Sequence, residues 1–320
     1  MTRNLPSRFR SREARVPSAL AALLFVVSSL PAQEPVVEAT SLLGKPLTRP
    51  PLAAAVRTLY EGNLAAAQKA FDHTPTNPDS IIWLGRRTGY LGRYADAIAI
   101  YSKGTAAHPE DARMYRHRGH RYLSIRKFDL AVRDFERAAE LTRGKPDEVE
   151  PDGIPNAQGI PTSTLQSNIR YHLALGYYLQ GAFAKALPFY QADVRIAVNP
   201  DMVVASSHWL YMTLRRLGRT ADAAKVLEPI SASMKVIENG SYHRLLLMYK
   251  GEITPDAILT PADQGDAVQD ATVAYGVGNW HLYNGRKAEA RQIFERVVAM
   301  PQWSAFGYIA AEAELARMGR

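Results

Sequence analysis

WLGRRTGYLGRYADAIAIYSKGTAAHP, residues 83–109, decides how this chain folds. Small residues stand at Gly85, Ala97 and Gly104, with an aromatic ring at Tyr101 and a Gly92-Arg93 pair between two helix-length runs. Gly past the end of a helical run supplies the left-handed conformation that stops it. The stretch therefore predicts two helices joined by a tight turn. The same features return 34 residues later as Gly119, Ala131, Phe135 and Ala138. Self-similarity at that period is the mark of a stacked helical array, in which one hairpin cannot bury its own apolar face and depends on its neighbours.

More copies follow with drift: Ala174, Tyr177, Ala186 and Tyr190; then Leu214, Ala223 and Leu227; then Gly278, Ala290, Phe294 and Val297. Upstream, Ala67 and Phe71 repeat the second half of a unit, behind a short first helix near Pro51 to Tyr60 and a Gly62-Asn63 turn. Other turns are expected at Gly181-Ala182, Gly218-Arg219 and Gly285-Arg286, while one unit uses Arg126-Lys127 instead, at some cost in stability. The small residues belong where helices approach closely and the rings fill the space between layers. This pattern resembles the tetratricopeptide repeat family. The resemblance covers residues 50–320 and implies an all-α, right-handed α-solenoid of helical hairpins, with residues 303–318 as a C-terminal capping helix.

Two places break the period. Ala131 to Ala186 is 55 residues, about 21 too many, and the surplus is the Pro-, Gly- and acid-rich stretch 143–165. Its prolines forbid a continuous helix, and a loop that long is functional or disordered. Ala223 to Ala290 is 67 residues, about two periods, which predicts a degenerate repeat at 238–262 whose first helix is Ser241 to Lys250 and whose second is cut short by Pro255 and Pro261.

The chain opens with Arg3, Arg8, Arg10, Arg12 and Arg15, followed by an uncharged apolar run from Ala19 to Leu30 and then Pro31-Ala32. This reads as a secretory signal over 1–32, cleaved after Ala32, with 33–49 as a flexible linker. The run is short for a bilayer span, so no stable membrane insertion is expected after cleavage. No Cys stands near the cut, and no paired arginines precede the run. The expected location is periplasmic or secreted. Net charge is +8 over 320 residues, but five Arg and one Glu leave with the leader. The remainder carries 34 basic and 30 acidic side chains, near +4, which makes no case for nucleic acid. With no Cys, thiol catalysis, disulfides and Cys-ligated zinc are excluded.

In the tetratricopeptide family the first helix of each unit lines a concave surface that binds peptides or proteins. Carried over by helical spacing, that surface holds Trp83, Arg86 and Tyr90; Arg113, Arg116, His117 and His120; Asn168, Tyr171 and His172; His208, Trp209, Arg215 and Arg216; His243; and Asn279. Arg113 and Arg116 are like charges three apart, with Arg121 nearby, so an anionic group is expected to offset them. That group is a ligand, or else Asp147, Glu148, Glu150 and Asp152 of the insertion folding back. His117 and His120 are spaced to chelate a metal, but the surrounding arginines oppose a divalent cation, and no metal or cofactor is expected. The motifs of a nucleophile elbow, a zinc protease and a phosphate loop are absent, and Gly276-Val277-Gly278 lacks a third Gly. Asn239-Gly240-Ser241 is a sequon by pattern and a turn by context. The leading expectation is a scaffold holding a protein or peptide partner in the groove. The alternative is an enzyme or small-molecule receptor with His120, His172 or His208 under the 143–165 loop. A spacer without a ligand is the third.

Overall fold

The computed structural model describes residues 36–259 and 267–319. The signal segment 1–32 and Pro261 lie outside the described residues. Helices α1 to α14 run in order: Ala54–His73, Pro78–Tyr90, Tyr94–Ala107, Ala112–Ser124, Phe128–Thr142, Leu165–Leu179, Phe183–Ile196, Pro200–Arg216, Thr220–Leu227, Gly240–Lys250, Pro255–Leu259, Ala267–Tyr283, Lys287–Val297 and Phe306–Met318. The result is an all-α solenoid in which each hairpin packs on the next.

Local chemistry explains the helix starts. The Asn77 side chain accepts from the Asp79 N–H at 2.8 Å, with Pro78 in the first turn. Asn199 caps α8 in the same way, again ahead of a proline, while Asp111 caps α4 and Thr164 caps α6. Helices α2, α6, α8 and α12 end at Gly92, Gly181, Gly218 and Gly285, all at φ between 72° and 83°. At the corresponding place after α4 stands Arg126, at φ 65°, the only non-Gly residue with positive φ among those described.

The repeat residues do what their sizes require. Ala97, Ala131, Ala186, Ala223 and Ala290 are fully buried, and Tyr101, Phe135, Tyr190 and Phe294 fill the layers between them. A Cβ on Gly85 would lie 2.4 Å from the Tyr101 ring; on Gly119, 3.0 Å from Phe135; on Gly278, 2.6 Å from Phe294. Gly85→Ala is therefore expected to cost about 1–3 kcal/mol by overpacking, and Gly119→Ala less, in urea unfolding of the two variants.

Two regions differ from the sequence expectation. Residues 37–48, expected within a flexible linker, form an antiparallel hairpin of β1 (Val37–Thr40) and β2 (Pro46–Thr48) turning at Gly44. The hairpin is docked: Leu47 is buried in the core, and Trp303 Nε1 donates to the Thr48 carbonyl at 2.6 Å. Second, α1 runs unbroken through Gly62-Asn63, where a turn was expected. A Cβ at Gly62 would meet nothing, so no packing demand breaks the helix there. The insertion, for which the sequence left order and disorder open, is ordered: a bridge joins Val149 to Thr164 within it, and Arg86 and Arg87 of α2 donate to its Pro151 and Gly153 carbonyls. The degenerate repeat has the expected long first helix, α10, and a five-residue second one, α11.

Candidate functional site

Helices α2, α4 and α6 bring Arg86, Arg113, Arg116, His117, His120, Asn168, Tyr171 and His172 into one region, as helical spacing requires. The insertion closes over it. Glu150, itself buried, places Oε2 2.9 Å from Arg116 Nε and Oε1 3.8 Å from His117 Nε2, and accepts from Asn168 Nδ2 at 3.1 Å. Arg86 donates to the Pro151 carbonyl at 2.8 Å and Arg87 to the Gly153 carbonyl at 2.6 Å. Arg113 is paired with Asp111 at 2.6 Å and Asp79 at 2.7 Å. The fold-back of the acidic loop is thus realised for Glu150.

His117 and His120 accept from neighbouring arginines. Arg121 donates to His120 Nδ1 at 2.8 Å, and Arg116 donates to His117 Nδ1 at 3.3 Å. These bonds assign the proton of both rings to Nε2. His172 donates from Nδ1 to the Asn168 carbonyl at 2.6 Å. Burial first, and the neighbouring guanidinium groups second, hold His117 and His120 well below the ordinary histidine range. Burial and Arg116 push His172 down to about 3. Neutral imidazole lone pairs therefore satisfy part of the arginine cluster without cancelling its charge. Among the described residues, Arg86, Arg87 and Arg121 have no carboxylate within 4 Å. A cavity of about 230 Å³ lies here, lined by Asp79, Trp83, Arg86, Arg113, His117 and the loop from Glu148 to Pro151. Arg86 and Arg87 stack over Trp83, 4.6 and 4.9 Å from its ring centroid.

The other expected wall residues are not on an open groove. His208, Trp209 and Asn279 are essentially inaccessible. Trp209 Nε1 donates to Tyr171 Oη at 2.6 Å, and Asn279 Nδ2 donates to Tyr178 Oη at 3.0 Å. His208 stacks on Tyr242 and Tyr249, apart from His120 and His172, so the three imidazoles do not form one acid–base set. Arg215 is tied to Tyr211 and Asn284 and lies 4.3 Å from the Tyr283 centroid. His243 donates to the Ser231 carbonyl.

Helices α10 and α12 pack over α8 and bury His208 and Trp209, and α14 closes over α6. Rather than only capping the array, α14 packs against α6, α12 and α13 and covers the inner wall. Phe306 sits 5.3 Å from the His120 ring and 5.5 Å from His172. Glu314 pairs with Arg216, and Glu312 with Arg126 at 2.7 Å. Sequence reasoning missed Glu312 and Glu314, and read Arg126 only as a costly turn residue. Two glutamates inside the apolar run Phe306–Leu315 were the available signal, because buried carboxylates demand partners. Among the described residues no group of three or more metal-ligating side chains converges, and no helix is long and apolar enough to cross a membrane.

Each 34-residue step delivers the same contact, a glycine of the first helix against a ring of the second, at Gly85–Tyr101 and Gly119–Phe135. The fold is tetratricopeptide-like. The array is similar to a tetratricopeptide repeat protein from Parabacteroides merdae at 12% identity, covering 80% of this chain and 94% of that one, with a TM-score of 0.47. It is similar to the apo form of the quorum sensor NprR from B. thuringiensis at 14% identity, covering 82% and 84%, with a TM-score of 0.45. YrrB, a tetratricopeptide protein described as having an unusual peptide-binding site, matches at 16% identity over 78% and 98%, with a TM-score of 0.41. No family model matches the chain, and no curated protein matches it.

Proposed function

We propose that this chain is an exported protein-interaction scaffold, and that the cavity between α2, α4 and the 143–165 loop receives an acidic group of a protein or peptide partner. One observation carries the reading. Arg86 lines the cavity with no carboxylate within 4 Å, His117 beside it is kept neutral by burial and the neighbouring guanidinium groups, and of the carboxylates along the same wall Asp79 is paired with Arg113 and Glu150 is held by Arg116 and Asn168. Guanidinium donors fixed in this way select carboxylates by geometry as well as charge. Trp83 supplies an apolar wall beside them. The basic leader, the short apolar run after it and the absence of Cys support export.

The test uses Trp83 as reporter. An acidic nonapeptide is titrated into the full chain and into Arg86→Ala, with tryptophan fluorescence read out and circular dichroism confirming the fold. Losing one charge-assisted bond, about 1.5–3 kcal/mol, is expected to weaken binding by about tenfold or more. Equal affinity for the Gln-substituted version of the same peptide, or an unchanged Arg86→Ala, overturns the assignment.

A further inference from the structure

A second cavity, of about 250 Å³, lies on the other side of the inserted loop, walled by α6, α8, the start of α10 and Phe306. Its chemistry is opposite to that of the arginine pocket. Asp193, Asp201 and Glu238 line it, and no Lys or Arg does. Two of these carboxylates are occupied. Asp201 accepts from the backbone N–H groups of Ile237, Glu238 and Asn239 at 2.8–2.9 Å. Glu238 accepts from Thr162 at 2.6 Å and Asn156 at 2.7 Å. Asp193 differs: it is fully buried, Oδ2 accepts from Ser206, and Oδ1 has no hydrogen-bond partner. Arg170 and the Ser167 hydroxyl favour its ionised form, but no ion pair to Arg170 forms within 4 Å, and burial outweighs both, raising Asp193 to about 6.

The walls above Asp193 are aromatic. Tyr171 accepts from Trp209 and bonds Tyr242 at 3.0 Å. One phenol donates to the other, and the Tyr242 oxygen keeps a lone pair that can accept from an N–H donor in the cavity. Tyr171, Tyr242 and Phe306 present ring surface, which attracts a cation within about 6 Å. The carboxylates do not converge as metal ligands do. The volume is below the roughly 300–1,000 Å³ of ordinary cofactor and drug-sized sites and suits a single side chain or small amine.

From the unpartnered Asp193 oxygen at the floor of an acidic, aromatic-walled cavity, we infer that this is a binding site for a primary alkylammonium group, carried by a free amine or a lysine side chain. It does not depend on the acidic-group reading of the arginine pocket.

The experiment is calorimetric titration of the full chain at pH 8 with n-pentylammonium, Nα-acetyl-lysine methylamide and n-pentanol. Both amines are expected to bind saturably and pentanol at least tenfold more weakly. Asp193→Asn, which keeps shape and the Ser206 contact, is expected to lose at least tenfold in amine affinity, while Arg86→Ala retains it. A tighter lysine derivative assigns the site to a peptide side chain, and a tighter pentylammonium assigns it to a free amine. Tyr242→Phe, expected to weaken binding several-fold, provides a second variant should Asp193→Asn not fold. Pentanol binding as tightly as pentylammonium, an undiminished Asp193→Asn, or no saturable heat because water fills the cavity, each overturns the site.

Discussion

Acidification from pH 7 to pH 5 is expected to remove several kcal/mol of folding stability, because the array buries neutral histidines beside fixed positive charge. His172 and His208 are pushed down to about 3, and His117 and His120 well below their ordinary value, in each case with burial as the largest cause. The unfolded chain protonates these rings near pH 6.5 while the folded chain does not. Their contribution is therefore fully present above pH 6.5 and is lost as pH falls below it, at about 1.4 kcal/mol per histidine per pH unit. Asp193 acts in the opposite direction. Its folded value, raised to about 6, lets the native state take up a proton between pH 6 and pH 4, which restores part of the loss. Asp134, raised by burial against the pull of Arg118, adds in the same sense. Four histidines outweigh these carboxyls. Urea midpoints at pH 7, 6 and 5 should fall steeply, and His172→Gln should flatten the dependence by about one proton. Midpoints that hold constant over this range would refute neutral burial of the rings.

How much of this was legible in the sequence follows from the range of each interaction. The five alanines, the four interlayer rings and the glycine turns depend on spacing within one hairpin, so a period of 34 places them correctly. The inventory of the inner wall was legible for the same reason, since helical spacing puts Arg86, Arg116 and His120 on one face. What covers that wall was not legible. Glu312 meets Arg126 across 186 residues and Glu314 meets Arg216 across 98, contacts that arise only when the superhelix brings its last helix back to its middle. Acidic residues of the loop were visible as candidate partners for the arginines, but which carboxylate arrives depends on the Val149–Thr164 bridge. The hairpin at 37–48 was missed because its strands are three and four residues long and gain burial from Trp303 and α14, not from their own pattern.

Arg126 shows why a rule broken locally has a distant cause. It occupies the left-handed position that glycine fills in four other turns, where an L side chain costs about 1–2 kcal/mol. In return its guanidinium donates to Glu312, to the Trp303 carbonyl and to the Ser124 carbonyl, all buried. Glu312→Ala is expected to cost about 3–5 kcal/mol, because Arg126 is left charged and unpaired in a site with almost no solvent access. Arg126→Gly relieves the backbone yet strands Glu312, so it is also expected to be destabilising despite installing the preferred turn residue. The double variant Arg126→Gly, Glu312→Ala removes both charges together, and its loss should fall well short of the sum of the two single losses in a double-mutant cycle measured by urea unfolding. Since the same pair fixes Trp303 and the start of α14, Glu312→Ala should also red-shift tryptophan emission as Phe306 lifts from His120 and His172. A loss under about 1 kcal/mol with unchanged emission would mean that α14 is held over the inner wall by apolar packing alone and that Arg126 bears its strained backbone for no structural return.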